Sequence, residues 1–117
     1  MKLSEVIKIG MKRTGYASGV YVYNRDKRLH ACALGAMYIG HMYGENDPIR
    51  GEDDLEDGDI EKVLEEYGIE WYDTFHSIGA RLPQGAHPNA TVSSWIMETS
   101  DGHGRDTVIK YLESVGL

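Results

Sequence analysis

Residues Ala31 to Tyr43 read ACALGAMYIGHMY, thirteen positions without one charged side chain and with a single strongly polar one, His41. A segment of that length that is apolar on every side is too short to cross a bilayer, and as a helix it has no face to give to water. It predicts a central helix with the rest of the chain packed around it. Gly35 and Gly40 each cost about 1 kcal/mol of helix propensity relative to Ala. Their presence predicts close approach of another backbone at those two positions, and Gly44 marks the helix end.

The remaining segments predict what surrounds this helix. Leu3, Val6, Ile7, Gly10 and Met11 fall at i, i+3, i+4, i+7 and i+8, the spacing of one buried helical face, with Ser4 as the expected cap and Thr14-Gly15 as the breaker. Ser18 to Tyr23 alternates β-branched and aromatic residues and predicts a strand with Val20 and Val22 on one face and Tyr21 and Tyr23 on the other. Asn24 to Lys27 supplies turn chemistry, and Arg28 to His30 is the expected return arm of a hairpin. Glu45 to Gly58 reads as the longest loop. Asp59 is the expected cap of a helix carrying Ile60, Val63, Leu64 and Tyr67, closed by Gly68-Ile69. Trp71, Phe75 and Ile78 suit a short helix, residues 79–91 read as irregular, Val92 to Met97 as a short apolar element, and Ser100 to Gly104 as a turn. A last helix from about Arg105 to Val115 turns Val108, Ile109, Leu112 and Val115 inward. The expected fold is mainly α (α+β): four to five short helices around the central one, with one small β-hairpin. At 117 residues the chain has the length of a single globular domain spanning 1–117.

Charge separates the chain into unlike regions. Residues 1–30 carry seven bases against two acids, whereas residues 45–66 carry eleven acids against Arg50 and Lys62, within an overall net charge of −7. An acid run of this kind either solvates a loop or presents a surface to a basic partner, where complementary charge speeds association. Glu52, Asp53, Asp54, Glu56 and Asp57 are the candidate protein-binding residues. Direct nucleic-acid binding is disfavoured, because its electrostatic contribution needs a concentrated basic surface. No run reaches the roughly 18 apolar residues of a membrane span, and Met1-Lys2-Leu3-Ser4-Glu5 meets charge too early for a secretory signal. With one lone cysteine, these features point to the cytoplasm.

Chemistry has few footholds. Cys32, near the start of the apolar helix, is the candidate nucleophile, since a helix N-terminus favours the thiolate; His76, His87 or His103 would have to serve as the base, with Cys32 and His76 the pair for an enzymatic reading. The competing interpretation is a small core residue. No two of the five histidines lie three or four apart, so no metal site is expected. A calcium loop starting at Asp53 would put Leu55 at position 3 and Leu64 at position 12, which removes two ligands. Asp101-Gly-His-Gly-Arg-Asp106 lacks the phosphate-loop lysine, and its two aspartates repel phosphate. A capped turn, with Asp101 accepting amide hydrogen bonds, is the expectation there. No cofactor is expected.

Gly15-Tyr-Ala-Ser-Gly19, then Cys32-Ala-Leu-Gly-Ala36 opening the apolar helix, then Val92-x-x-Trp95, Ser100-Asp101 and Arg105-Asp-Thr-Val-Ile109 together resemble a family of small uncharacterised phage and actinobacterial proteins. That family shares a C-x-L-G-A helix and a terminal Trp-turn-helix. In this chain Trp95 is followed by Ile96-Met97 where the family pattern has Asn-Asp. The resemblance implies a phage or prophage origin and a mainly helical fold; it brings no activity. These readings converge on a small non-enzymatic binding protein in the bacterial host cytosol, acting on a basic or nucleic-acid-binding host or phage protein, including a host defence factor. The alternatives are a Cys32-dependent hydrolase or transferase, and a virion or assembly component. Oligomeric state is open.

Overall fold

A computed structural model of the chain describes residues 1–52 and 54–117. In chain order the elements are α1 (Leu3–Arg13), β1 (Gly15–Tyr16), β2 (Val22–Arg25), β3 (Arg28–Ala31), α2 (Ala33–Tyr43), α3 (Asp57–Glu66), α4 (Val92–His103) and α5 (Arg105–Ser114). The fold is mainly α with a small sheet, as the residue pattern predicts, and α2 is its centre. Ala33, Leu34, Ala36, Met37 and Ile39 are all fully buried. One hydrophobic cluster joins them to Val6 and Ile7 of α1, Ile60 and Leu64 of α3, Ile96 of α4, and Val108 and Leu112 of α5.

The glycines explain how the other elements come so close to α2. A Cβ on Gly10 of α1 would stand 1.7 Å from the Ala36 carbonyl oxygen, and one on Gly40 would stand 2.2 Å from that of Val6. The α1–α2 crossing is therefore a backbone-on-backbone seam that no side chain can enter. Gly35, on another face of α2, meets the Tyr21 carbonyl in the same way, at 1.8 Å. Helix propensity predicts the close approach at Gly35 and Gly40, and Gly10 supplies the reciprocal half of the seam.

The hairpin is present, with β2 antiparallel to β3 and Val22 opposite Ala31, and β1 adds a parallel edge on β3. Its turn is Asp26-Lys27, both residues at positive φ (53° and 63°), which matches a two-residue hairpin connection of the I′ kind. The first arm differs from expectation. It begins at Val22, and Val20 is 47% exposed, because Gly19 at φ +81° bends the chain before the strand starts.

Caps and ends account for the other differences. α1 begins after Lys2, whose amide donates to Glu5 Oε1 at 3.1 Å, and Ser4 lies buried inside the helix. α3 starts three residues earlier than expected, with Glu56 at the N-cap; its amide donates to Asp59 Oδ2 at 3.0 Å, so Asp59 closes the first turn from within. α3 ends as predicted, with Gly68 at φ +81° and the Ile69 amide donating to the Leu64 carbonyl. Residues 70–78 form turns and no helix. Asp73 Oδ2 accepts from the Glu70 amide, and Thr74 and Ser77 exchange hydrogen bonds, so side-chain oxygens take the amides a helix would need. α4 is longer than the expected Val92–Met97 element and absorbs the predicted Ser100–Gly104 turn up to His103, stopping at Gly104 (φ +90°). Ser100 and Asp101 have turned their side-chain oxygens to distant amides, which leaves the local backbone free to stay helical. Among the described residues, no helix is long and apolar enough to cross a membrane.

Candidate functional site

The head of α2 has an unusual cap. Cys32 occupies the N-cap position, yet its side chain makes no capping hydrogen bond. The Ala33 amide, which needs an acceptor there, donates instead to Ser100 Oγ of α4 at 3.0 Å, and Ser100 is fully buried. The Cys32 amide donates to the Tyr21 carbonyl at 3.1 Å. Around this junction the strand entry and α4 are laced together. Asp101 Oδ1 accepts from the Gly19 amide at 3.0 Å, and the Tyr16 hydroxyl donates to the carbonyls of Ser100 and Asp101. Arg105 completes the junction. Its guanidinium donates to Thr14 Oγ1 at 2.9 Å and to the carbonyls of Thr14, Gly15 and Ala31 at 3.2–3.3 Å, and burial holds its pKa below the ordinary arginine range.

A cavity of roughly 540 Å³ opens over this head. Cys32, Val22 and Met97 give it an apolar component, and Asp54, Glu56, Asp57 and Asp101 give it four carboxylates with no basic side chain among its lining residues. Two of the acids are engaged: Asp57 accepts from the Tyr21 hydroxyl, and Asp101 from Gly19. Burial first, then that hydrogen bond to Asp57, pushes the Tyr21 phenol well above the usual range. Asp54 and Glu56 are exposed. Carboxylates of one sign on the wall of a concave site focus the field and favour a cationic group. Glu56 and Asp57 also lie at the N-terminus of α3, where negative charge complements the helix dipole.

The five acids singled out in the sequence thus separate. Asp54, Glu56 and Asp57 line the cavity. Glu52 does not; it is half-buried and accepts from the Tyr43 hydroxyl, whose pKa is pushed up to about 12 by burial and then by that bond. Asp53 lies outside the described residues. Asp101 belongs with the three cavity acids although it is more than forty residues away in sequence. It caps no local turn, but it does accept an amide hydrogen bond, from the other side of the cavity.

Cys32 is 1% exposed, and burial pushes its thiol up; the amides of Gly35 and Leu34 pull the other way, and the Asp101 charge adds to the rise. A thiol held in that direction stays protonated and nucleophilically weak near neutrality. His76 lines a different cavity, with Thr74 and Pro88 among its neighbours, and no histidine lines the one at Cys32. His87 accepts from the Asn89 amide through Nδ1. Among the described residues no group of three or more His, Cys, Asp or Glu side chains is placed to hold a metal ion. Tyr21 and Asp101 are the site residues that sequence reasoning did not assign to it. In the sequence Tyr21 reads as part of an alternating strand and Asp101 as the start of a Gly-His-Gly turn. No family model, curated protein or solved structure matches the chain.

Proposed function

We propose that this is a small non-enzymatic binding protein, phage-encoded and acting in the bacterial cytosol, that engages a basic host or phage protein by receiving a lysine or arginine side chain in the acidic cavity at the head of α2. Inhibition of a host factor whose natural ligand is nucleic acid is the sharpest form of this reading, since a wall of carboxylates imitates phosphate. The single observation that carries it is the convergence of Asp54, Glu56 and Asp57 with the distant Asp101 on one cavity that has no basic lining residue. A solvating loop has no reason to recruit Asp101. The cavity's apolar component, from Val22, Cys32 and Met97, suits the methylene stem of a long cationic side chain, which packs on apolar surface while its head meets charge.

The test uses a fluorescent lysine- and arginine-rich peptide as a defined probe and measures its anisotropy. Binding should fall about tenfold or more in Asp54→Lys/Glu56→Lys and weaken steeply with added salt. Reversal of Glu45 and Asp47, which are not among the cavity's lining residues, should leave binding within about threefold. Equal loss in both double variants would reduce the acid run to a general solvating charge.

A further inference from the structure

A second cavity, sharing no lining residue with the first, has the opposite character. In a chain of net charge −7 it is lined by Arg81 and Lys110 and by no carboxylate. Its volume is roughly 650 Å³, and Trp95 and Tyr111 supply aromatic surface. Gln84, Trp95 and Thr107 are shared with an adjoining cavity of roughly 700 Å³, so the two form a continuous groove between the 81–90 segment and helices α4 and α5. Glu98, His87 and His103 line the adjoining cavity, with Glu98 one helical turn from Trp95 on α4.

Three observations indicate what would fill the cationic end. The Arg81 guanidinium carbon lies 5.7 Å from the Tyr111 ring centroid, and Nη2 donates to Ser114 Oγ at 3.2 Å, so the cation is positioned by a ring and a hydroxyl. Among the described residues, no carboxylate pairs with Arg81 or Lys110. Tyr111 Oη is, again among the described residues, the one buried side-chain polar atom without a hydrogen-bond partner. A buried hydroxyl left without a partner is costly, which makes it unusual as a purely structural feature. Burial raises the Tyr111 pKa against the opposing pull of Arg81, so the hydroxyl remains a donor.

Trp95 packs edge-on to Tyr111 (4.9 Å between centroids) and to Phe75 (5.5 Å), which fixes its indole at the junction of the two cavities and leaves it partly exposed. A fixed, accessible indole beside two cations without carboxylate partners selects for a flat ring carrying negative charge.

We propose that this groove binds a small ligand made of a planar ring bearing an anionic group, phosphate or carboxylate, with the ring against Trp95 and the anion between Arg81 and Lys110. The inference is independent of the acidic cavity, whose lining residues on α4, Met97 and Asp101, face away from Trp95 around the helix.

The experiment is a titration of the full chain followed by the Trp95 indole and Lys110 amide resonances, with adenosine monophosphate, indole-3-acetate, adenosine and inorganic phosphate as probes. Either or both of the first two should move both resonances, at least about tenfold more tightly than adenosine or inorganic phosphate; which of them does so separates phosphate from carboxylate as the anion. Lys110→Glu, an exposed substitution, should weaken binding about tenfold and Lys110→Arg by no more than about threefold, with Arg81→Gln as the second variant and circular dichroism confirming the fold. Three results would overturn the proposal: no movement of Trp95 up to about 10 mM of either ring-bearing anion, inorganic phosphate binding as well as both, or affinity unchanged in Lys110→Glu and Arg81→Gln.

Discussion

The head of α2 and its seam with α1 are built by different physics. From Ala36 to Gly40 the helix lies against α1 through Gly10 and Gly40, a seam of backbone on backbone with no room for a side chain, beyond which Arg13 of α1 donates to the Tyr43 and Gly44 carbonyls. At its head the same helix is held by side chains from distant parts of the chain: Ser100 on the Ala33 amide, Asp101 on Gly19, and Arg105 on three carbonyls. The seam is specified by what is absent. The head depends on polar groups being placed well by a fold that already exists, and that is where the carboxylates gather. In this protein, the region that holds the fold together and the region we assign to binding are neighbours on one helix with opposite design rules.

The comparison can be broken hardest at the seam. Gly10→Ala places a Cβ 1.7 Å from the Ala36 oxygen and should destabilise the protein by about 3 kcal/mol or more, seen as a large fall in the urea midpoint. Arg105→Ala comes next. It removes four charge-assisted hydrogen bonds at the head, to Thr14 Oγ1 and the carbonyls of Thr14, Gly15 and Ala31, of which Ala31 keeps the Ala17 amide, a loss of about 2–4 kcal/mol; Arg105→Lys should recover only part of it, because a point charge cannot reproduce the planar fork. Both variants are measured by the same denaturation curves, and the second should also loosen the acidic cavity, whereas the first should act on the whole fold.

A smaller effect belongs to the head alone. The native state holds the Cys32 proton more tightly than the unfolded chain does, so this contribution to stability is complete below the thiol's ordinary value of 9.0 and is lost as pH rises through the raised folded value. Tyr21 and Tyr43, both raised, extend the loss further into alkali. Urea midpoints should therefore fall above about pH 9 and stay flat from 7 to 8.5, with a shallower initial fall in Cys32→Ala. In the native state Cys32 should resist iodoacetamide at pH 7.5 and react on unfolding. The smallest effect has the opposite sign from the seam. Gly58, in the first turn of α3, has nothing within 4 Å of where a Cβ would go, and Gly58→Ala should stabilise by about 0.5 kcal/mol. One chemical change, made at Gly10 and at Gly58, should move stability in opposite directions.

The seam was legible in the sequence and most of the head was not. A charge-free run with two glycines that a helix would avoid announces a buried helix with close neighbours, because periodicity and propensity are local properties. A turn within Asn24 to Lys27 and the Gly68 helix end were legible for the same reason, although Asn24 and Arg25 belong to β2 and the turn itself is Asp26-Lys27. Ser100 and Asp101 looked like turn residues because such side chains usually serve their own backbone. Here tertiary packing offers them amides at Ala33 and Gly19 instead, and α4 runs on through them. The acid run pointed to the right region but not to its division: Glu52 is spent on Tyr43, while Asp101 joins Asp54, Glu56 and Asp57 from another helix. No spacing rule contains that grouping, because it comes from the way α4 crosses the head of α2.

The measurement closest to the central claim is a titration of isotope-labelled protein with the lysine- and arginine-rich peptide, followed by backbone amide shifts. Shifts concentrated at Gly19, Tyr21, Cys32, Asp54 and Glu56, and abolished in Asp54→Lys/Glu56→Lys, are the predicted result. Shifts confined to residues 45–51, or a pattern that survives the charge reversal, would contradict it and leave the carboxylates at the head of α2 without a binding role.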